Sequence, residues 1–375
     1  MRVFFDNSAT TPLDPAVVQV MTEAMLRENG NASSIYAEGR TARAAIERAR
    51  KTVAKYLNAS IGEIFFTSGG TESSNMALKC SVRDLGVERI ISSRTEHHCV
   101  LHTLDTIDRT SGTEILYVDQ FENGLIDYRH LEQLLREGKK KTLVSLMHAN
   151  NEIGAMLDLD LVSALCRQYG AFFHSDTVQT VGYYPIDLNK TQLSFITGSA
   201  HKFHGPKGVG FIYINNANMI RPYMDGGSQE RNMRGGTENN YGILGLAKAM
   251  EMAYEYLEQR QEHIRSLRDY LARELQARFS DLEFNGDPFG QGHYKLLSVG
   301  FPPSPRAELM LLNLDIAGVS VSGGSACSSG AEAGSHVLDT LKKNSPRKTI
   351  RFSLSHLNTK EEVDFVLKKL GEVLP

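Results

Sequence analysis

The chain has 375 residues, of which 41% are hydrophobic and 23% charged, as is typical of a globular enzyme of one large or two smaller domains. Its formal net charge of −3 gives no general attraction to nucleic acids or to anionic membranes. No apolar run approaches the ~20 residues of a membrane-spanning helix and no signal-peptide core follows Met1, so we expect neither a membrane nor a nucleic-acid partner.

The first 14 residues are polar and rich in turn formers, and helices are predicted over 15–27 and 39–57. Short β-rich runs then alternate with helical stretches, at 64–67, 89–92, 115–118, 143–147, 172–175, 193–197 and 209–214. This alternation predicts an α/β fold with a mostly parallel sheet and helices on both faces. The last two runs lie too close for a helical crossover, so they should pair antiparallel and make the seven-stranded sheet mixed.

Beyond residue 242 the pattern changes to a long helical stretch. Strands are predicted at 296–301 and 350–354, a helix after Ser304, and a last helix from Thr359, where Glu362 completes a capping box. We therefore predict three parts. These are an N-terminal segment (1–14) near the site, a large domain (15–250), and a smaller α+β domain (251–375) carrying a loop at about 322–335.

A glycine turn follows the first core strand, where Gly69, Gly70 and Thr71 precede a predicted helix. Free N–H groups at a helix N-terminus suit a phosphate, and Gly70 lets a ligand approach closely. An ordinary strand-to-helix turn is the alternative. No P-loop motif follows.

Three histidines and a cysteine follow the next strand, from His97 to His102. Their spacing matches no standard zinc pattern, so a single imidazole, His97, stacked on a planar cofactor is the better interpretation. The four cysteines (Cys80, Cys99, Cys166 and Cys327) contain no CxxC pair, which argues against a disulfide framework and favours a reducing cytoplasm. We expect no metal site.

Asp176 ends a predicted strand, with Gln179 shortly after it. A carboxylate at that edge can hold a pyridinium N–H, and Gln179 could donate to a ring oxygen. The alternative is that Asp176 caps the next helix.

Lys202 follows the strand at 193–197 and precedes a Gly-Pro turn. Open α/β sheets bind ligands off the carboxyl ends of their strands, and a desolvated lysine there can form a Schiff base. The alternative is an exposed lysine in a basic loop.

Cys327 lies among glycines, serines and alanines, which cannot pack tightly around it. Such a segment suits an accessible thiol nucleophile better than a structural cysteine. Arg351, inside a predicted strand, can bind a carboxylate through two hydrogen bonds, either a structural carboxylate of the protein or one on a substrate. Together, a phosphate cradle, a ring-nitrogen carboxylate, a stacking histidine and a Schiff-base lysine describe a pyridoxal 5′-phosphate site.

The whole chain resembles the cysteine desulfurases of the NifS/IscS type, group I, within the class V aminotransferases. The motifs that carry the resemblance are Thr67-Ser68-Gly69-Gly70-Thr71-Glu72-Ser73, Thr95-Glu96-His97, Asn150-Asn151-Glu152, Asp176 with Gln179, Ser199-Ala200-His201-Lys202, Gly235-Gly236-Thr237, Ser325-Ala326-Cys327 and Arg351-Phe352-Ser353. The chain departs from the usual pattern at Ala32, Tyr36, Asp225 and Ser228. The resemblance implies the fold-type I architecture of pyridoxal phosphate enzymes.

The resemblance also implies roles for individual residues. Lys202, His97 and Cys327 would be catalytic, with Lys202 bound to the cofactor and Cys327 accepting sulfur. The cofactor would be held by Gly70, Thr71, His97, Asn151, Asp176, Gln179, Ser199, His201 and Lys202, and by Thr237 of a neighbouring subunit in a homodimer. Asn151 and Arg351 would bind the substrate.

The implied activity converts L-cysteine to L-alanine and passes sulfur, as a persulfide on Cys327, to an acceptor protein for iron–sulfur cluster assembly or other thiolation. Cys327 could also ligate an iron–sulfur cluster. The alternatives are a selenocysteine lyase or another β-eliminating enzyme, and a non-catalytic scaffold, against which the intact Lys202, Asp176 and Cys327 argue.

Overall fold

The computed structural model describes residues 1–27, 29–323, 334–343 and 345–374, so Cys327 lies outside the described residues. The strands within these ranges are β1 (Val3–Phe4), β2 (Ile64–Thr67), β3 (Arg89–Ser92), β4 (Glu114–Tyr117), β5 (Thr142–Ser145), β6 (Phe172–Asp176), β7 (Phe195–Ser199), β8 (Gly210–Ile214), β9 (Glu283–Asn285), β10 (Leu296–Phe301), β11 (Val319–Ser320) and β12 (Lys348–Ser353). The helices are α1 (Pro15–Arg27), α2 (Ala37–Tyr56), α3 (Gly70–Leu85), α4 (His98–Ser111), α5 (Tyr128–Glu137), α6 (Leu159–Gln168), α7 (Asn240–Glu255), α8 (Leu257–Arg278), α9 (Pro305–Glu308), α10 (Met310–Ile316), α11 (His336–Leu341) and α12 (Lys360–Val373).

The central sheet has seven strands in the order β2-β8-β7-β6-β5-β3-β4. Strand β8 is antiparallel to both β2 and β7, and the other neighbouring pairs are parallel. The predicted mixed sheet, with antiparallel pairing of its last two runs, is confirmed. The run predicted at 143–147 ends earlier, at Ser145, because the N–H of Met147 donates to a side-chain oxygen of Glu96 at 2.6 Å.

Helices cover both faces of this sheet because alternate strand residues point to opposite sides. In β8, Phe211 and Tyr213 join the core that contains α2 and α7, whereas Ile212 and Ile214 join the core that contains α3. Strands β2, β3, β5, β6 and β7 all end at the same edge. The loops that follow them can therefore meet there.

The C-terminal part has an antiparallel sheet, β12-β10-β9, on which α8 packs. The N-terminal segment links this part to the central sheet. Strand β1 pairs with β11, the Asn7 side chain donates to Ser353 O at 2.8 Å, and Thr11 N donates to His201 O at 2.9 Å. The predicted domain boundaries stay a prediction. None of the helices in the described ranges is long and apolar enough to cross a membrane.

Candidate active site

A cavity of about 260 Å³ lies at the carboxyl edge of the central sheet. The predicted site residues that line it are Gly70, Thr71, His97, Asn151, Asp176, Gln179, Ser199, His201, Lys202 and Arg351. Among the predicted site residues only Thr237 and Cys327 are missing, the first because it lines a different pocket and the second because it is outside the described residues. The structure therefore brings together residues that are up to 281 positions apart in the sequence, from Gly70 to Arg351.

The Lys202 amine is held by the N-terminal segment. Lys202 ends a 3₁₀ turn directly after β7, and its Nζ donates to Ser8 O at 2.6 Å and Ala9 O at 2.8 Å. From the other side, the hydroxyl of Tyr183 donates to Lys202 O at 2.9 Å. Both ends of the residue are thus fixed, and the amine lies in the cavity wall.

The glycine turn after β2 presents the start of α3 to the cavity. Gly69 has φ of 153°, a conformation that favours glycine. At Gly70 a Cβ atom would lie 2.6 Å from Val178 Cγ2, so no side chain fits. Because the first N–H groups of a helix have no partner within the helix, this turn can bind a phosphate.

Asp176 ends β6 and is buried beside the cavity. Its Oδ1 accepts a hydrogen bond from Val178 N at 2.9 Å. Burial raises the pKa of Asp176 to about 6, although the nearby Lys202 opposes the shift. At neutral pH the carboxylate is therefore ionised and able to pair with a cationic ring nitrogen.

Gln179 is buried, and part of its amide is engaged within the protein. Its Nε2 donates to Ser8 O at 3.0 Å, while its Oε1 has no partner among the described residues. The acceptor Oε1 and the second N–H of Nε2 are both left for a ligand, so the amide can accept from a ring hydroxyl or donate to a ring oxygen. An unpaired buried oxygen costs free energy, so a donor at this place would be stabilised.

His97 caps α4 and is uncharged. Its Nδ1 accepts from Cys99 N at 3.2 Å, which places the imidazole proton on Nε2. Burial, and then the charge of Lys202, lowers the pKa of His97 to about 4. A neutral imidazole can stack on a planar ring, and its Nε2–H can donate a hydrogen bond.

His201 is also uncharged in the site. Its Nδ1 lies 3.1 Å from Thr10 Oγ1, and burial, followed by Lys202, lowers its pKa to about 4. Ser199, at the end of β7, is buried next to the glycine turn. Both residues lie where a ligand held by α3 would contact them.

Arg351 comes from β12, with only 1% of its surface exposed. Its Nη1 donates to Asn151 O at 2.9 Å, and its Nη2 pairs with the carboxylate of Asp6 at 2.5 Å. These contacts orient the guanidinium at the cavity, where it can bind a carboxylate.

Thr237 lies in a separate pocket with Gly208, Arg234 and Gly236. One chain alone therefore does not bring Thr237 to the cavity. The predicted contribution from a neighbouring subunit agrees with this separation and stays a prediction.

Several residues that line the cavity were not predicted from the sequence. Glu152 and His336 both line the cavity, and the hydroxyl of Ser335 donates to Glu152. Glu152 belongs to the quoted Asn150-Asn151-Glu152 motif, so its position was a usable signal, whereas nothing near His336 marked it. Within the described ranges, no three His, Cys, Asp or Glu side chains lie close enough to hold a metal ion.

Comparison with known proteins identifies the family of the chain. A model of the family "Aminotransferase class-V" matches residues 3–366. The cysteine desulfurase IscS of Dictyoglomus turgidum is 41% identical over 379 residues, covering 100% of this chain and 94% of that protein.

Two solved structures are similar over nearly their whole length. A NifS-like protein has a TM-score of 0.92 and 37% identity, covering 100% of this chain and 99% of that one. The structure described as SspA in complex with cysteine has a TM-score of 0.83 and 27% identity, covering 96% of this chain and 100% of that one. The chain therefore belongs to the class-V aminotransferase family of pyridoxal phosphate enzymes, and its relatives in that family include cysteine desulfurases.

Proposed function

We propose that this protein is a pyridoxal phosphate-dependent cysteine desulfurase. The observation that carries the proposal is the meeting, in one cavity, of the Lys202 amine, the ionised Asp176, the uncharged His97 and the Arg351 guanidinium. The similarity to cysteine desulfurases over the full chain supports the choice of reaction.

The described residues fit the cofactor. No side chain fits at Gly70, and Gly70 and Thr71 line the cavity at the start of α3, where backbone N–H groups can bind a phosphate. The Gln179 amide, with its Oε1 unpaired among the described residues, suits the ring hydroxyl. Asp176 would pair with the ring nitrogen, and Ser199 and His201 would complete the phosphate site. When bound, pyridoxal phosphate supplies an aldehyde that reacts with amines and a ring that stabilises negative charge at the substrate α-carbon.

Four residues of the cavity would bind the substrate and move its protons. Arg351 would bind the carboxylate of L-cysteine, helped by Asn151. The Lys202 amine would take the proton from the α-carbon, because it lies in the wall beside the ligand. His97 would donate a hydrogen bond from Nε2, since its Nδ1 is already engaged.

Cys327 would receive the sulfur. Its thiolate attacks the sulfur of L-cysteine and the substrate C–S bond breaks, with the electron pair going to the β-carbon. The β-carbon then gains a proton and the α-carbon regains the proton that Lys202 took, so that L-alanine leaves and Cys327 carries a persulfide. An acceptor protein, for iron–sulfur cluster assembly or another thiolation, would then take the outer sulfur. A homodimer would bring Thr237 of the partner subunit to the phosphate site.

Product analysis tests this proposal. Wild-type protein with pyridoxal phosphate should convert L-cysteine to L-alanine, whereas Lys202→Ala should form none. Cys327→Ala should lose persulfide formation. If Cys327→Ala instead releases sulfide at the wild-type rate, the protein is a β-eliminating lyase. If wild type forms no L-alanine, the proposed function is wrong.

A further inference from the structure

Lys295 is a buried lysine that the proposed reaction does not use. It directly precedes β10, and none of its surface is exposed. Its Nζ has no hydrogen-bond partner among the described residues. A buried ammonium without a partner is very costly, and a lysine in this position instead loses its proton.

The neighbours of Lys295 reinforce the uncharged state. Burial, and then the charges of Lys202 and Arg351, hold its pKa well below the usual value. A proton on Lys295 would in turn lower the pKa values of His201, His204 and His293. Both charged side chains that act on Lys295 are cations, and no described carboxylate acts on the amine directly. Carboxylates act on those two cations instead, Asp6 on Arg351 and Asp176 on Lys202.

The amine is one side chain away from the catalytic lysine. Lys295 Nζ lies 3.9 Å from the centroid of the Tyr183 ring, and the Tyr183 hydroxyl donates to Lys202 O at 2.9 Å. On the same stretch, Lys295 N donates to His293 Nδ1 at 3.3 Å, and His293 Nε2 donates to Gln179 O at 2.9 Å. Residues 293–295 thus support the backbone of two cavity residues, Gln179 and Lys202.

We propose that Lys295 is a proton-accepting positioning residue of the cavity, uncharged in the cofactor-free protein and protonated when the anionic, phosphate-bearing cofactor binds. This rests on the proposed binding of pyridoxal phosphate at Lys202.

The physical reason is the change in charge around the amine. In the cofactor-free protein, Lys202 and Arg351 repel a proton on Lys295. A phosphate and a substrate carboxylate bring negative charge next to these two cations and lower the positive potential at Lys295. A ligand that binds the protonated form better must take up protons as it binds, so its affinity rises as the pH falls. The added charge is stabilised by the face of the Tyr183 ring.

Calorimetry on the cofactor-free protein counts these protons. Pyridoxal phosphate is titrated into the protein in two buffers of different ionisation enthalpy at the same pH, and the difference in heat gives the protons taken up. Lys295→Met, which keeps the length of the side chain, should take up fewer protons than wild type, by up to about one per site. Lys207→Met is the matched control, because Lys207 also perturbs His201 but is exposed, and its proton count should equal that of wild type.

A second readout separates this role from simple packing. At pH values below the usual lysine pKa, Lys295 is protonated in the unfolded chain, whereas folding opposes its protonation. Lys295 therefore lowers the free energy of unfolding of the cofactor-free protein at neutral pH, and this effect decreases toward pH ~10. Lys295→Met should therefore raise the melting temperature at pH 7. Lys295→Arg, charged at every pH, should lower it and also abolish the extra proton uptake.

Equal proton counts for wild type and Lys295→Met would overturn the proposal. Lys295→Gln provides the same comparison if the methionine variant does not fold. The visible absorbance band of the bound cofactor shows whether the proposed role of Lys295 fails alone or together with the proposed function. If it forms in wild type and the counts are equal, only the role of Lys295 is wrong, and if it never forms, the proposed function fails as well.

Discussion

Replacing Asp176 by asparagine should weaken cofactor binding while stabilising the cofactor-free protein. The pKa of about 6 means that about nine tenths of the Asp176 carboxyls are ionised at pH 7 and about one tenth at pH 5. A hydrogen bond to a charged group contributes about 1.5–3 kcal/mol. We therefore expect Asp176→Asn to bind pyridoxal phosphate about 10- to 150-fold more weakly at pH 7. The wild-type advantage should shrink below pH 6.

The stability effect has the opposite sign. Folding raises the pKa of Asp176 from 3.8 to about 6, so ionising it in the folded state costs about 3 kcal/mol above pH 6. Asparagine keeps the oxygen that accepts from Val178 N and carries no charge. The cofactor-free variant should therefore be more stable than wild type above pH 6, by up to about 3 kcal/mol, with the difference disappearing below pH 4.

Two titrations check these values. Absorbance measures cofactor binding at pH 5, 6, 7 and 8, and urea unfolding of the cofactor-free protein measures stability over the same range. Asp119→Asn, at an exposed carboxylate, is the control and should change neither quantity. Equal cofactor affinity of Asp176→Asn and wild type at pH 8 would refute the assignment of Asp176 to the ring nitrogen.

The other site residues give three further expectations. Gly70→Ala places a Cβ 2.6 Å from Val178 Cγ2 and should weaken pyridoxal phosphate binding at least tenfold. Gly62→Ala is the control, because its nearest contact is 3.8 Å, and should bind the cofactor as wild type does. Equal affinities of the two variants would argue against the phosphate cradle. Arg351→Lys loses the two-point geometry of the guanidinium and should raise KM for L-cysteine about tenfold or more with a smaller change in kcat, while an unchanged KM would exclude it from substrate binding. His97→Phe keeps a ring for stacking but loses Nε2–H, so cofactor affinity should persist and kcat should fall about 10²-fold; an unchanged kcat would remove His97 from the chemistry.

Much of the fold follows from local signals in the sequence. The alternation of β-rich and helical runs predicted a mostly parallel sheet, since buried parallel strands are nearly continuous apolar runs separated by amphipathic helices. The strands at 64–67 and 89–92 have the predicted bounds. The site residues could be predicted because parallel strands end at one edge, so that Gly70, Asp176 and Lys202 had to lie near each other.

Other features depend on tertiary contacts that cannot be predicted from residue types alone. The carbonyl groups of Ser8 and Ala9 hold Lys202, but any residue offers a carbonyl. Lys295 stands before a strand, where a lysine is usually exposed, and only the packing of Tyr183 against it reveals its burial. Thr237 lies in a different pocket from the other predicted site residues, so its predicted role depends on a neighbouring subunit and stays a prediction.

In the proposed reaction, sulfur leaves L-cysteine for Cys327 with the help of Lys202. Mass spectrometry of the peptide containing Cys327, after one turnover with L-cysteine under anaerobic conditions, tests it most directly. We expect a peptide heavier by one sulfur atom, formed in equal amount with L-alanine, and absent from Lys202→Ala. L-alanine formed without any added sulfur on Cys327 would contradict it.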